Sequence, residues 1–368
     1  MKILIDAHKF GEKHEGTSTY LSGIYQSLML LHPEWEYVFV GRHQKAMQGV
    51  FGQGPHVRYR LLKAKSRFWR MMVEMPQILR QENPDYAHFQ YITPMGARSP
   101  YIVTTHDILF EEKRFRHFFP FTYRWLNGFL FRRSARKAKI LCTVSAYSKE
   151  KIVQYYGKSP REIVVTPNAV KSNDPNNEFD QLVMERYGLD RFLLLVSRVE
   201  PRKNHLALYR SFVALGLKDK GYKLVLIGKN EWQSQETKDF VAQHQSALVD
   251  AMVIIEDIDL AHLEAFYRCA EVFVYPSFAE GFGIPPLEAA IAQTKVVCSS
   301  ATAMKDFDFF PYHIDPTDQE ALDTAINEAI NDEDYDLQGL KNVVRDKYQW
   351  TNSAQILAEA IKATPKQQ

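Results

Sequence analysis

The amino-acid sequence predicts an α/β chain of two parallel-sheet domains, each sheet covered by helices on both faces. Three observations lead there. Apolar runs of strand length alternate with helical patterns along nearly the whole chain. The alternation breaks at Lys171-Ser172-Asn173-Asp174-Pro175-Asn176-Asn177-Glu178, which is polar, turn-rich and poor in core residues, as an interdomain linker should be. Finally, 368 residues with 45% hydrophobic and 24% charged content suffice for two cores.

In chain order, Lys2-Ile3-Leu4-Ile5-Asp6 is the first expected strand. Glu15-Gly16-Thr17-Ser18-Thr19-Tyr20 then reads as a loop leading into an amphipathic helix through Leu21, Ile24 and Leu28. Further strands are expected near 36–40, 57–62, 85–89, 101–105, 139–144 and 162–166. The second series starts at Phe192 and continues near 222–227, 252–255, 271–275 and 295–299, and a last helix runs from about Thr351 to Lys362. The expected divisions are 1–170, a linker 171–180, 181–347 and a terminal segment 348–368.

The net charge of +2 is close to balance, which argues against nucleic acid as a partner. Cys142, Cys269 and Cys298 lack the spacing of a disulfide framework or metal site, so a reducing cytoplasm is the expected setting. The chain starts with a strand rather than a charged segment and apolar signal core. No apolar run approaches the roughly 20 residues that cross a bilayer.

Two segments carry chemistry. After the apolar run Glu271-Val272-Phe273-Val274-Tyr275 comes Pro276-Ser277-Phe278-Ala279-Glu280-Gly281-Phe282-Gly283-Ile284-Pro285-Pro286-Leu287-Glu288-Ala289. Gly281 and Gly283 let the backbone turn tightly and approach a ligand, and Pro285 and Pro286 suit the first turn of a helix. The helix would aim free N–H groups and its positive end into the loop, a place for an anion. Glu280, ahead of the helix, suits sugar hydroxyls, and Glu288, placed in the first turn, could reach a second polyol such as a ribose. Taken alone, the two glutamates would equally serve as a cap and a dipole partner. The second segment, Arg191-Phe192-Leu193-Leu194-Leu195-Val196-Ser197-Arg198-Val199-Glu200-Pro201-Arg202-Lys203-Asn204, reads as a buried strand, a turn carrying cations and a helix start. Arg198 and Lys203 suit phosphate oxygens, and Arg202 reads as a solvated cation of the same turn.

The two segments together resemble the paired-glutamate and arginine–lysine motifs of retaining glycosyltransferases of family four, and the resemblance extends over most of the chain. It implies the GT-B architecture, two Rossmann-like domains facing across a cleft, with the last helix packing back on the first domain. It implies further that Glu280 contacts the donor sugar, Glu288 the nucleotide ribose, and Arg198 and Lys203 the diphosphate, with Gly281, Phe282, Gly283 and Ile284 forming the donor loop. Gly16 matches a glycine near the donor phosphates. His106, in Thr104-Thr105-His106-Asp107-Ile108 after the apolar run Tyr101-Ile102-Val103, matches a histidine touching the donor sugar. Domain closure would gather these groups and exclude water. Retention without a protein nucleophile would leave His106, Arg198, Lys203 and Glu280 acting by position and electrostatics.

No cofactor beyond the nucleotide sugar is expected. Asp306-Phe307-Asp308 has the Asp-x-Asp spacing of metal-dependent transferases but reads as a polar turn of this two-sheet chain. Three departures bear on the donor. Gln293 and Lys295 stand where the family runs through glycine and proline, Ala169 follows Asn168 where glycine is usual, and Ile255-Glu256-Asp257-Ile258 replaces a glycine-bearing loop at the base pocket.

From Glu112 to Lys139 the chain mixes Lys113, Arg114, Arg116, Arg124, Arg132, Arg133, Arg136, Lys137 and Lys139 with Phe118, Phe119, Phe121, Tyr123, Trp125, Phe129 and Phe131. Two readings stand side by side: a helix resting peripherally on an anionic membrane, where a lipid-linked acceptor would be met, or one with its aromatics in the core and cations in water. The expected activity is transfer of a sugar, mannose from GDP-mannose first, to a glycan or lipid-linked acceptor in surface polysaccharide or lipopolysaccharide synthesis. The alternatives are a UDP- or dTDP-sugar donor, a related phosphorylase or epimerase, or an inactive sugar-nucleotide-binding subunit of an assembly complex.

Overall fold

The computed structural model describes residues 1–11, 16–97, 99–170, 177–229 and 234–364. Glu15 and linker residues 171–176 lie outside them. The chain divides into two compact units, one of residues 1–169 with 348–368, the other of residues 170–347.

The first unit holds a seven-stranded sheet of β1 (Lys2–Asp6), β2 (Glu36–Gly41), β3 (Val57–Leu61), β4 (Tyr86–Gln90), β5 (Tyr101–Thr104), β6 (Ala138–Thr143) and β7 (Ile163–Val165). Its order is β3-β2-β1-β4-β5-β6-β7 and every pairing is parallel. Strands buried on both faces need apolar side chains throughout, and Ile3, Leu4 and Ile5 of β1 are fully buried. The helix Gly16–Leu31 already includes Gly16–Tyr20, the stretch expected as a loop. The carboxy-terminal helix Trp350–Ala363 packs against it. A Cβ on Gly23 would lie 2.1 Å from the Trp350 ring, so glycine there lets helix and indole meet. Ser353 Oγ donates to Pro167 O at 2.7 Å and Tyr86 OH to Thr364 O at 2.7 Å, tying both ends of that helix to the unit.

The second unit has six parallel strands, β8 (Arg191–Val196), β9 (Tyr222–Ile227), β10 (Met252–Ile255), β11 (Val272–Tyr275), β12 (Lys295–Ser299) and β13 (Tyr312–Ile314), in the order β10-β9-β8-β11-β12-β13. The edge strand β13 was not expected. Only three residues long and hemmed by Pro311 and Pro316, it has too little apolar pattern to be read.

In each sheet the winding reverses beside the first strand, between β1 and β4 in one and between β8 and β11 in the other. Crevices at such switch points, beyond the carboxyl ends of the strands, are where open parallel sheets bind ligands. The loops that leave β8 and β11 are the two segments singled out in the sequence.

Candidate active site

In the second unit the loop leaving β8 is fixed from both sides. Ser197 N donates to Ile227 O at 2.9 Å and Val199 N to Lys229 O at 2.9 Å. Gly228, at φ 143°, lies so close that a Cβ would be 2.1 Å from Ser197 O. A short 3-10 turn, Pro201–Lys203, follows, and Asn204 takes the left-handed conformation at φ 59°. Its buried Nδ2 donates to Pro276 O at 3.1 Å and Pro316 O at 3.0 Å, joining this loop to those after β11 and β13.

That anchoring sets a cation pair against Glu280. Lys203 Nζ donates to Glu280 Oε1 at 2.6 Å and to Tyr275 OH at 3.0 Å. Ser277 Oγ and Tyr275 OH also donate to Oε1, at 2.7 and 3.1 Å, while Arg202 lies 3.1 Å from Oε2. Burial raises the Glu280 carboxyl, but Lys203, Arg202 and the hydrogen bonds outweigh it and hold it at about 2. Lys203 is lowered by burial and by Arg202, against the pull of Glu280. Arg202 is therefore no solvated cation: it reaches Glu280, Glu200 and the carbonyl of Ala279, and its own carbonyl accepts from Phe278 N. Glu200 is two residues away, but Glu280 and the Ala279 carbonyl could not be named from the sequence neighbourhood, because they come from the loop after β11.

The paired glutamates differ in environment. Glu280 does not cap the helix Ile284–Ile291, whose N-cap is Gly283. Glu288 stands in the second turn rather than the first, which contains no acidic residue. It accepts from Tyr267 OH at 2.8 Å, and burial foremost raises its carboxyl above the ordinary value, the Tyr267 bond opposing. Gly283, at φ 102°, needs glycine twice over, since a Cβ would also meet Met304 Cγ at 2.8 Å. Phe282 is buried edge-on against Phe307, Gly281 is half-buried, and Ile284 is the first helical residue. Arg198 lies exposed in the loop between β8 and the 3-10 turn.

Thr302 was missed in the sequence. It holds φ 56°, unusual for a β-branched residue, and its Oγ1 accepts from Glu280 N at 2.8 Å. Where the family pattern has glycine, Gln293 keeps a left-handed backbone at φ 62°. Asp306 ends the 3-10 turn Thr302–Asp306, and its carbonyl accepts from Lys347 Nζ. No group of three or more potential metal-ligating side chains occurs among the described residues.

In the first unit, His106 follows β5, on the β4 side of the switch. Its Nε2 lies 2.5 Å from Gln90 Oε1, and its ring meets Tyr20 edge-on at 5.0 Å and Tyr91 at 5.3 Å. Burial lowers its imidazole to about 3, so the ring is neutral at physiological pH and works as a hydrogen-bonding group. Tyr91, at φ 61°, lies between His106 and Phe131. Behind it Tyr25, His88, Thr104, Tyr20 and Thr166 form a buried chain of hydrogen bonds of 2.7 to 3.3 Å. Gly16 opens the helix that carries Tyr20, and a Cβ there would meet nothing within 4 Å.

Residues 36–174 match the model described as glycosyltransferase family 4 and residues 179–345 that of glycosyl transferases group 1. The O-antigen chain mannosyltransferase B of Escherichia coli is 29% identical over 238 residues, 62% of this chain and 62% of that protein. O-antigen chain mannosyltransferase RfbU of Salmonella typhimurium is 25% identical over 230 residues, 61% of this chain and 59% of its own. Each match thus spans less than two thirds of the relative's length. A glycosyltransferase structure from Rickettsia africae superposes with a TM-score of 0.71 at 15% identity, covering 100% of this chain and 99% of the other, a likeness of GT-B fold. With its two halves matched in turn by these models, the chain belongs to the family 4, group 1 glycosyltransferases.

Proposed function

We propose that the protein transfers a sugar, with retention of configuration, from a nucleoside diphosphate sugar to a glycan or lipid-linked acceptor in surface polysaccharide or lipopolysaccharide synthesis. The observation that carries the reading is the carboxylate of Glu280 held ionised between Lys203 and Arg202 in the loop that opens the helix Ile284–Ile291. An ammonium has three N–H donors, and two of Lys203's go to Glu280 and Tyr275, which leaves one for a phosphate oxygen. Glu280, already aligned by Ser277 and Tyr275, would accept from sugar hydroxyls. Glu288, with one oxygen engaged by Tyr267, would offer the other to a ribose. Neutral His106 would donate or accept at the sugar without adding charge. The two relatives, both O-antigen chain mannosyltransferases, support mannose, and hence GDP-mannose, as the first donor to test.

The test is the melting temperature with GDP, UDP and dTDP, for the wild type and Glu288→Ala, followed by turnover of the sugar nucleotide that binds. A nucleotide at a hundredfold its Kd adds about 2.7 kcal/mol of stability. A shift with one nucleotide that shrinks in the variant, together with turnover, supports the assignment. Binding without turnover points instead to a sugar-nucleotide-binding subunit, and no shift with any of the three removes the donor reading.

A further inference from the structure

The helix Phe121–Lys137 turns an aromatic stripe outward. Phe121, Trp125 and Phe129, spaced i, i+4, i+8, are 72%, 71% and 63% exposed. At about 3.6 residues per turn the stripe continues into Arg132 and Arg136, while Asn127, Gly128, Phe131, Ser134 and Ala135 are buried on the opposite face. The reading that placed the aromatics of this helix in the core therefore holds for Phe131 but fails for Phe121, Tyr123, Trp125 and Phe129. Residues 113–139 contain nine lysines and arginines and no aspartate or glutamate. Glu112, just before, is buried and engaged by Tyr147 and Arg114.

A second exposed pair lies on the same unit. Phe68 and Trp69, 63% and 59% exposed, follow the exposed cations Lys63, Lys65 and Arg67, and residues 63–73 also contain no acid. Residues 93–95 bridge the two places. Thr93 N donates to Ser134 Oγ at 3.0 Å and Arg133 reaches the Thr93 and Pro94 carbonyls, while Met95 N donates to Met71 O at 3.2 Å.

We infer that this surface docks on an anionic bilayer, with Phe121, Trp125, Phe129, Phe68 and Trp69 entering the headgroup region and the flanking cations meeting lipid phosphates. Exposed aromatics ringed by cations are the pairing an acidic lipid interface rewards. The alternative occupant, a second copy, would set these basic segments against each other, where like charges repel. The inference stands apart from sugar transfer, since exposure and charge alone carry it.

Co-sedimentation with phosphatidylcholine vesicles, with and without about 30% phosphatidylglycerol, tests it at low and high salt. The wild type should partition onto the anionic vesicles alone and leave them as salt rises. Phe121→Ser/Trp125→Ser/Phe129→Ser should bind at least about tenfold more weakly. Arg136→Gln/Lys137→Gln/Lys139→Gln should bind more weakly with a flatter salt dependence. Because all six side chains are exposed, both variants should melt with the wild type. No wild-type partition, equal partition onto neutral vesicles, or an unaffected aromatic variant would overturn the inference. So would light scattering that shows a wild-type dimer made monomeric by the aromatic substitutions.

Discussion

Replacing Glu280 by glutamine keeps the shape of the side chain and removes the charge between Lys203 and Arg202. Those side chains are only 11% and 13% exposed, so the substitution leaves buried Lys203 without its hydrogen-bonded carboxylate and Arg202 with Glu200 but not Glu280. Breaking a buried ion pair by removing one partner costs about 3–5 kcal/mol. A second route gives a similar figure: a carboxyl held at about 2 against an ordinary 4.5 contributes about 3.4 kcal/mol, at 1.36 per unit. Because the folded value is the depressed one, this contribution is complete above 4.5 and disappears as pH falls toward 2. At pH 3.5 about 1.4 kcal/mol of it is gone. Urea unfolding of both proteins at pH 7 and pH 3.5 reads this directly. Glu280→Gln should be less stable by about 3–5 kcal/mol at pH 7, with the gap about 1.4 kcal/mol narrower at pH 3.5. A gap below about 1 kcal/mol at pH 7, or one that does not change with pH, would refute the account of a carboxylate locked by its two cations.

Three further outcomes follow from the same geometry. Gly283→Ala, forced to φ 102° against Met304, should cost about 1–3 kcal/mol of stability. Gly16→Ala, with open space around it in a helix, should be neutral or stabilising by up to about 1 kcal/mol, so any loss of turnover there reports on substrate access, and equal destabilisation of both variants would contradict the local geometry. His106, neutral in the folded chain down to about 3, makes the native state bind fewer protons than the unfolded one below 6.5. Stability should fall as pH drops through 6.5, by about 2 kcal/mol at pH 5 from this ring, and His106→Gln should remove that slope; parallel pH profiles would show that the ring is protonated in the fold.

Much of the scaffold was legible because parallel strands buried on both faces must be apolar throughout. Runs such as Phe192–Leu195 and Lys2–Asp6 announced β8 and β1 by composition alone, and the strands of each series fell within a residue or two of their expected positions. The loop after β11 was legible as well, since Gly283, Pro285 and Pro286 are local devices for a tight turn and a helix start. What escaped was set by partners distant in sequence. Arg202 looked like one more cation of its turn until the loop after β11 brought Glu280 and the Ala279 carbonyl to it, 77 residues away for the latter. Thr302 and Tyr91 hold left-handed backbones that neither residue type announces. Glu288 was expected in the first turn, but the helix already starts at Ile284 and carries it in the second.

By itself, then, the sequence determined the α/β class, the two series of parallel strands and the glycine-rich turn, all of which depend on local propensity and on periodic burial. Only the tertiary structure decided which charges pair, which histidine is kept neutral and which aromatics of the 121–137 helix face solvent. Those properties follow from through-space distance and from desolvation, and the helix shows why: Phe129 and Phe131, two residues apart and identical in chemistry, point one to water and one to the core.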